Sequence, residues 1–443
     1  MKRRSIISTA LIALIAGSIL PGCKKDNSTN NDEKNKPPVC SITAPANNAT
    51  FTTADSIKIT VAASDTDGGI SKVDIYVDNV AAASPKTNPP FEFTLAAGVL
   101  AAGTHTIKAV ATDNKAASAD ASIKIVVNSA PTIYVAGYAT TAGSGVQVAQ
   151  YWKSGVATSL TTSPAELKSI FVSGSDVYAA GFEAVGSGYS VAKVWKNGVG
   201  TALTDGTQYA YAYSVYVSGG DVYVAGFVNH RGKIWKNGVE TAVTLNSNTA
   251  ADLLSVFVSG SDVYAAGMET TSQGYQVAKV WKNGTPQSLS SETNFGWAYS
   301  VYVSGSDVYV AGDEYAPFQK NVAKVWKNGV ETALTNGTAK AQALSVYVSG
   351  NDVYVAGYEA NSSGIEVAKV WKNGVATALT DGSRYARAQS VYVNGNDVYA
   401  AGLEYDISGQ IQNIRLWKNG TAIALTDGLP FGRASAAASV FVK

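Results

Sequence analysis

Residues 345–382 read SVYVSGNDVYVAGYEANSSGIEVAKVWKNGVATALTDG, and close copies of this stretch fill residues 131 to 443. Its period is two: Val353, Val355 and Gly357 alternate with Tyr354, Ala356 and Tyr358, and Lys369 and Trp371 alternate with Ala368 and Val370. Each run is therefore a strand with two differently furnished faces, both apolar enough to be buried. Asn373-Gly374 between two runs is a hairpin signal, because both central residues of a type I′ turn need positive φ. Ser349-Gly350-Asn351-Asp352 reads as a second tight turn. Four short strands, two tight turns and one longer loop make an antiparallel sheet that cannot cover its own faces.

Counting the copies sets the topology. The second strand recurs at Ile133, Val177, Val222, Val263, Val308, Val353 and Val398, with spacings of 44, 45, 41, 45, 45 and 45. The third strand carries Trp152, Trp195, Trp235, Trp281, Trp326, Trp371 and Trp417, each followed by Lys. This period with four strands per unit predicts a seven-bladed β-propeller over 131–443. The inner strand recurs at Ser169, Ser214, Ser255, Ser300, Ser345, Ser390 and Ser439, so the array starts on a second strand and finishes on a lone inner strand, SVFV. That strand is expected to complete the first blade and close the ring, removing an exposed edge. Glu183, Glu269, Glu314, Glu359 and Glu404 are matched across the hairpin by Lys193, Lys279, Lys324, Lys369 and Arg415, whereas Ala139 and Gln150 lose both partners together, which predicts a structural ion pair. The repeated Trp is expected to lie over the repeated Gly between blades. The unit resembles β-propeller repeats in general, without the Trp-Asp of WD40 blades, the double Gly of kelch or the Asp-box of sialidases, so that resemblance carries over no functional residue.

Residues 37–128 alternate differently. Ile57, Ile59 and Val61, then Val73, Ile75 and Val77, then Ile107, Ala109 and Ala111, then Ile123, Ile125 and Val127 mark five to seven strands of a β-sandwich. Through SITAPANNATF, SDTDGGISKVDIYVDN and GTHTIKAVATDNKA the segment resembles bacterial Ig-like domains, which implies a spacer. Asp65, Asp67 and Asp113 are candidate calcium ligands, but turn capping is the simpler role for them. His105 reads as a surface strand residue and Cys40 as a small core residue.

Residues 1–22 join a basic start, Lys2-Arg3-Arg4, to an apolar run too short to span a membrane, and end Leu20-Pro21-Gly22 before Cys23. This resembles the lipobox of bacterial lipoproteins, which implies cleavage before Cys23, its lipidation, and attachment to the membrane through acyl chains. Residues 23–36 lack apolar groups and read as a disordered tether. Lys24-Lys25-Asp26 resembles the export signal of Bacteroides-group surface lipoproteins, which implies an outer-membrane protein facing the exterior. The chain holds 34 Lys and Arg against 33 Asp and Glu. Without the leader the count is 31 against 33, which argues against a nucleic-acid partner.

Function on a repeat scaffold belongs where the copies differ, because a single ligand needs an asymmetric site. The variable interblade loops bring Tyr209, Tyr211 and Tyr213; Phe295, Trp297 and Tyr299; Arg384, Tyr385 and Arg387; and Phe431 and Arg433. The loops after the second strand add Tyr189, Tyr275, Tyr315, Phe318 and Tyr405. Aromatic planes with Arg forks suit a sugar, a protein or a peptide. The competing class is a carboxylate-based polysaccharide enzyme or a subunit of a glycan-uptake assembly. The residues unique to one copy are His230, Arg231, Asp252, Glu292, Asp313 and Asp406, and they form no recognisable catalytic or metal constellation. The expectation is an all-β, monomeric, surface-anchored binding or adhesion module with no cofactor and no metal, recognising a glycan or protein ligand.

Overall fold

The structure is a computed structural model that describes residues 34–141, 144–186, 188–241, 249–315, 320–405, 412–423 and 432–443, with backbone alone for 412 and 432–436. The leader, Cys23, the tether to residue 33, Phe318, Asp406, Phe431 and the Arg433 side chain lie outside this description. The described elements are all strands. The chain forms two compact units, one ending at Ala130 and the other running Pro131–Lys443. Among the described residues no helix is long and apolar enough to cross a membrane.

The first unit is a sandwich of two sheets. Val39–Ala44, Ile57–Ser64 and Phe91–Leu95 form one sheet. Ala49–Thr52, Ser118–Asn128, Gly103–Asp113, Ile70–Val77 and Val80–Ala81 form the other, in that order. The alternating positions read from the sequence meet in one core in which Ile59, Ile75, Ile107 and Ile125 are almost completely buried. There are eight strands where five to seven were expected. The added ones are short: a two-residue return at Val80–Ala81 and a four-residue strand, Ala49–Thr52, lying parallel to Ser118–Asn128. Cys40 packs partly buried against the core. His105 is more covered than a surface residue, held between Asp78 Oδ2 at 2.7 Å and the Ala101 carbonyl at 2.8 Å. Asp113 accepts the amides of Lys115 and Ala117 together with the Asn35 side chain, which is turn capping. Among the described residues no group of three or more His, Cys, Asp or Glu side chains is arranged to hold a metal.

The second unit contains seven four-stranded antiparallel sheets. Ala341–Ser349, Asp352–Ala360, Glu366–Lys372 and Val375–Ala378 form the sixth, which contains the repeat quoted above. Asn373 and Gly374 both have positive φ, 51° and 83°, as the hairpin between its third and fourth strands requires. The first sheet takes its inner strand from the other end of the chain: Gly432–Val442 pairs with Ile133–Thr140. This strand is longer than the SVFV read from sequence.

Three cycles of contact run through all seven sheets. Each repeated Trp is at most 2% exposed and packs on the preceding sheet. Trp371 lies among Tyr309, Ala311 and Ala323 of the fifth sheet, and Trp152 of the first lies among Tyr399, Ala401 and Leu416 of the seventh. Each inner-strand Ser accepts a hydrogen bond from an amide of the next sheet, from Val215 N to Ser169 Oγ (3.1 Å) round to Val440 N to Ser390 Oγ and Ile170 N to Ser439 Oγ. Two residues beyond each Ser stands an aromatic ring, and Phe171, Tyr216, Phe257, Tyr302, Tyr347, Tyr392 and Phe441 touch in succession, with centroids 4.6–5.1 Å apart and Phe441 returning to Phe171.

The five Glu–Lys/Arg pairs form as expected, as diagonal cross-strand ion pairs. In the third sheet Lys233 turns to Glu240 on the outer strand instead. The Trp expectation is met in the fifth sheet, where a Cβ on Gly312 would stand 3.0 Å from Trp326 Cζ3, and needs one correction as to register. Trp371 stands opposite Val355, and Gly357 stands opposite Lys369. The glycine answers a bulge in the inner strand: a Cβ on Gly357 would sit 1.9 Å from the carbonyl oxygen of Gln342. Six sheets also share a clamp that the sequence reading took only as turns. In the sixth, Asp352 binds Lys372 (2.7 Å) and Asn373 Nδ2 (2.7 Å), while Asn373 Oδ1 accepts the Val353 amide (2.9 Å).

Candidate functional site

The bulges decide what faces the middle of the second unit. In every sheet the register slips just before the Ser, leaving one residue without a cross-strand partner. A bulge re-aims a side chain and is common beside functional sites. The slipped residues are Ala438, Lys168, Tyr213, Leu254, Tyr299, Leu344 and Gln389, and all seven line one cavity of about 470 Å³. Two residues upstream on the same strands, Glu166, Asp252 and Trp297 line it too, with Tyr138 and Met268 from second strands. All seven sheets contribute to this wall, and their slipped residues are of five kinds: Lys, Tyr, Leu, Gln and Ala.

Of the eleven aromatic and Arg candidates, Tyr213, Trp297 and Tyr299 line the cavity. Trp297 is half-buried and stacks on Tyr315 (5.8 Å, 21°), which is itself stacked with Phe295 (5.3 Å, 18°). Tyr211 is packed edge-on against Phe182 and Phe227. Tyr209 and Tyr385 are exposed, each with a single ring neighbour, Tyr189 and Tyr405. Arg384 is partly exposed on its loop. Arg387 is already engaged: its guanidinium forks onto Glu366 and lies 4.7 Å over the Tyr358 ring, and Lys340 joins Glu366 at 3.1 Å.

Of the residues unique to one copy, Asp252 reaches the cavity and contacts His230 Nδ1 at 3.3 Å. Glu292 is exposed on a loop. Asp313 is completely buried, in a position where the siblings hold Tyr138, Phe182, Phe227, Met268, Tyr358 and Leu403. It anchors a polar network behind the wall. Asn321 Nδ2 donates to its carboxylate, as does Gln342 Nε2 (3.3 Å), which also donates to the Tyr299 hydroxyl (2.8 Å). Tyr358 donates to Gln342 Oε1 (2.8 Å). Among the described residues Asp313 Oδ1 has no hydrogen-bond partner.

Burial pushes the Asp313 carboxyl up to about 6. The folded protein then keeps a proton that the unfolded chain releases near pH 4. The stabilisation is complete below that value and is lost as pH rises through about 6. Asp313→Asn is therefore expected to raise unfolding free energy at pH 8 by about 3 kcal/mol and to leave it unchanged near pH 4. Urea titrations at the two pH values measure this, and equal effects at both contradict it.

Sequence reasoning passed over Glu166, Lys168, Tyr138 and Gln342. The available signal was the column of residues one and three places before each repeated Ser, the two least repetitive positions in an otherwise regular strand.

With this geometry in view, the first unit can be classed: it is a bacterial Ig-like domain, residues 38–109 matching the family model described as "Bacterial Ig domain". It is similar to the fibronectin(III)-like modules of CbhA from Clostridium thermocellum, at 33% identity, covering 21% of this chain and 99% of that one, TM-score 0.19. Longer stretches are similar to the extracellular domain of a one-component system from B. thetaiotaomicron (10% identity, 60% of this chain and 37% of that one, TM-score 0.33). Another such likeness is to a Bacteroides ovatus mixed-linkage glucan utilization locus protein, SGBP-B, solved with a heptasaccharide (13% identity, 77% and 69% covered, TM-score 0.17). At these scores the likenesses assign nothing to the second unit. Comparison with curated proteins finds no match.

Proposed function

We propose that the seven sheets close into a seven-bladed β-propeller whose central cup binds a glycan, and that lipidation of Cys23 and the Ig-like spacer hold this module on the outer membrane, facing the exterior, as a monomer. The serine, aromatic and tryptophan contact cycles support the closure. One observation carries the function: a cavity of about 470 Å³ whose wall is built from the non-repeating residues of a repeating fold. That volume lies within the range of small-ligand sites and fits a saccharide end better than the flat patch a protein partner requires. Tyr213, Trp297 and Tyr299 offer ring faces, and Gln389, Lys168 and Glu166 offer hydrogen bonds for hydroxyls.

The test is a glycan array probed with the chain, followed by titration of each hit. Binding is expected, and Trp297→Ala is expected to weaken it at least tenfold, about 1.4 kcal/mol, with the melting temperature held. Tight binding that survives Trp297→Ala moves the site elsewhere. A second reading, a carboxylate-based hydrolase or lyase, is favoured by Glu166 and Asp252 sharing the cavity. Release of shorter saccharides from the bound ligand would establish it.

A further inference from the structure

We infer that the glycan entering this cup carries a free, positively charged amine, seated between Asp252 and the Tyr213, Trp297 and Tyr299 rings; this rests on the glycan reading above. The charges on the wall lead to it. Glu166 and Lys168 are ion-paired to one another, and Lys168 also lies 5.6 Å over the Phe182 ring, so these two cancel within the protein. Among the described residues Asp252 has no such counterion. Its one ionisable contact there is His230, which reaches Oδ1 alone, is 64% exposed, does not line the cavity, and is stacked on Phe227 at 5.1 Å. The Asp252 side chain is only 15% exposed. Burial raises its pKa, as expected of a carboxylate that has lost water without gaining a full positive partner.

The surroundings select among saccharides. The two neighbouring sheets place Tyr213 on one side of Asp252 and Trp297 with Tyr299 on the other, and the opposite wall is made of small or neutral residues, Leu344, Gln389, Ala437 and Ala438. Aromatic faces beside a carboxylate attract an ammonium group through ring quadrupole and charge together. A uronic acid or sulfated sugar would bring a second negative charge to Asp252 and be disfavoured. A neutral or N-acetylated sugar leaves the carboxylate without a counterion. An amino sugar with its amine free supplies one. Asp252 is also the only Asp in its column, which elsewhere reads Glu166, Tyr211, Trp297, Gln342, Arg387 and Ala436.

The experiment titrates the full chain, following tryptophan fluorescence and heat, with a glucosamine trimer, the N-acetylglucosamine trimer and cellotriose. The glucosamine trimer is expected to bind at least tenfold tighter than the other two. Asp252→Asn, a near-isosteric change, is expected to remove that preference, bringing the glucosamine trimer to the affinity of the N-acetylglucosamine trimer. Asp352→Asn, which deletes one charge in the exposed clamp of the sixth sheet, is expected to preserve it and so excludes a general charge effect. If the three trimers bind equally, or if Asp252→Asn weakens all three alike, the amine inference is overturned and the glycan reading stands. If none binds, the glycan reading falls and the inference with it.

Discussion

Removing residues 439–443 is expected to lower the melting temperature by roughly 10 °C or more, although five terminal residues are normally dispensable. In most proteins such residues fray. Here Val440 and Val442 are 4% and 3% exposed, and Phe441 sits between the Phe171 and Tyr392 rings. Burying three apolar side chains is worth about 5–8 kcal/mol. The deletion also breaks the serine cycle at two points, leaving Ser390 Oγ without the Val440 amide and Ile170 N without Ser439 Oγ. The paired backbone bonds between Thr132 and Lys443, 2.8 and 2.9 Å, are lost as well. What remains is a first sheet with an open edge, a template for intermolecular pairing. Calorimetry of the truncated chain decides the matter: a melting temperature within a few degrees of the intact chain's contradicts both the pairing of the two chain ends and the proposed ring.

Gly357→Ala is the second change with a large expected effect, about 3 kcal/mol or more. Alanine has a modest strand cost of its own, so the size of the effect comes from the bulge. The added methyl would stand 1.9 Å from Gln342 O and 3.1 Å from Ala343 Cα, both backbone atoms, and no rotamer change relieves that. Relief requires flattening the bulge, which disturbs the Ser345 register beside it and the Gln342 network behind the cavity. Gly186→Ala provides the contrast, since its Cβ meets nothing within 4 Å. Unfolding titrations should show the first variant clearly destabilised and the second close to unchanged. Similar values for both would remove the steric account of the repeated glycine.

Much of this fold was readable from particular residues. Asn373-Gly374 marks its turn because few other pairs accept positive φ twice, and the alternation around Ile59, Ile75, Ile107 and Ile125 marks the core of the Ig-like domain because one face of each strand is dry. The paired loss of Glu and Lys at Ala139 and Gln150 carried contact information within a single chain, since the repeats serve as their own comparison. The site was less readable. A bulge shifts register by one, and a strand pattern does not show where the count slips until the partner strand is known. Lys168 and Leu254 therefore looked like ordinary strand residues next to a Ser. Arg387 stood out as a free fork for a ligand, but its pairing depends on Glu366, Lys340 and Tyr358, which come together only through packing of the sixth and seventh sheets. Asp313 looked like a candidate catalyst because it is unique, and the reason for its uniqueness, a buried network, lies outside what spacing can express.

The bulged position separates two demands that most proteins must meet with the same residues. Its residue has no cross-strand partner, so a change there alters the cavity without rearranging the strand ladder, Tyr299 with its hydrogen bond from Gln342 of the next sheet being the exception. Lys, Tyr, Leu, Gln and Ala already occupy it in sheets of nearly identical backbone. Apart from Tyr299, these positions act as independent dials on a fixed frame, so that descendants of such a chain can change the chemistry of the cavity by single substitutions that selection for folding hardly registers.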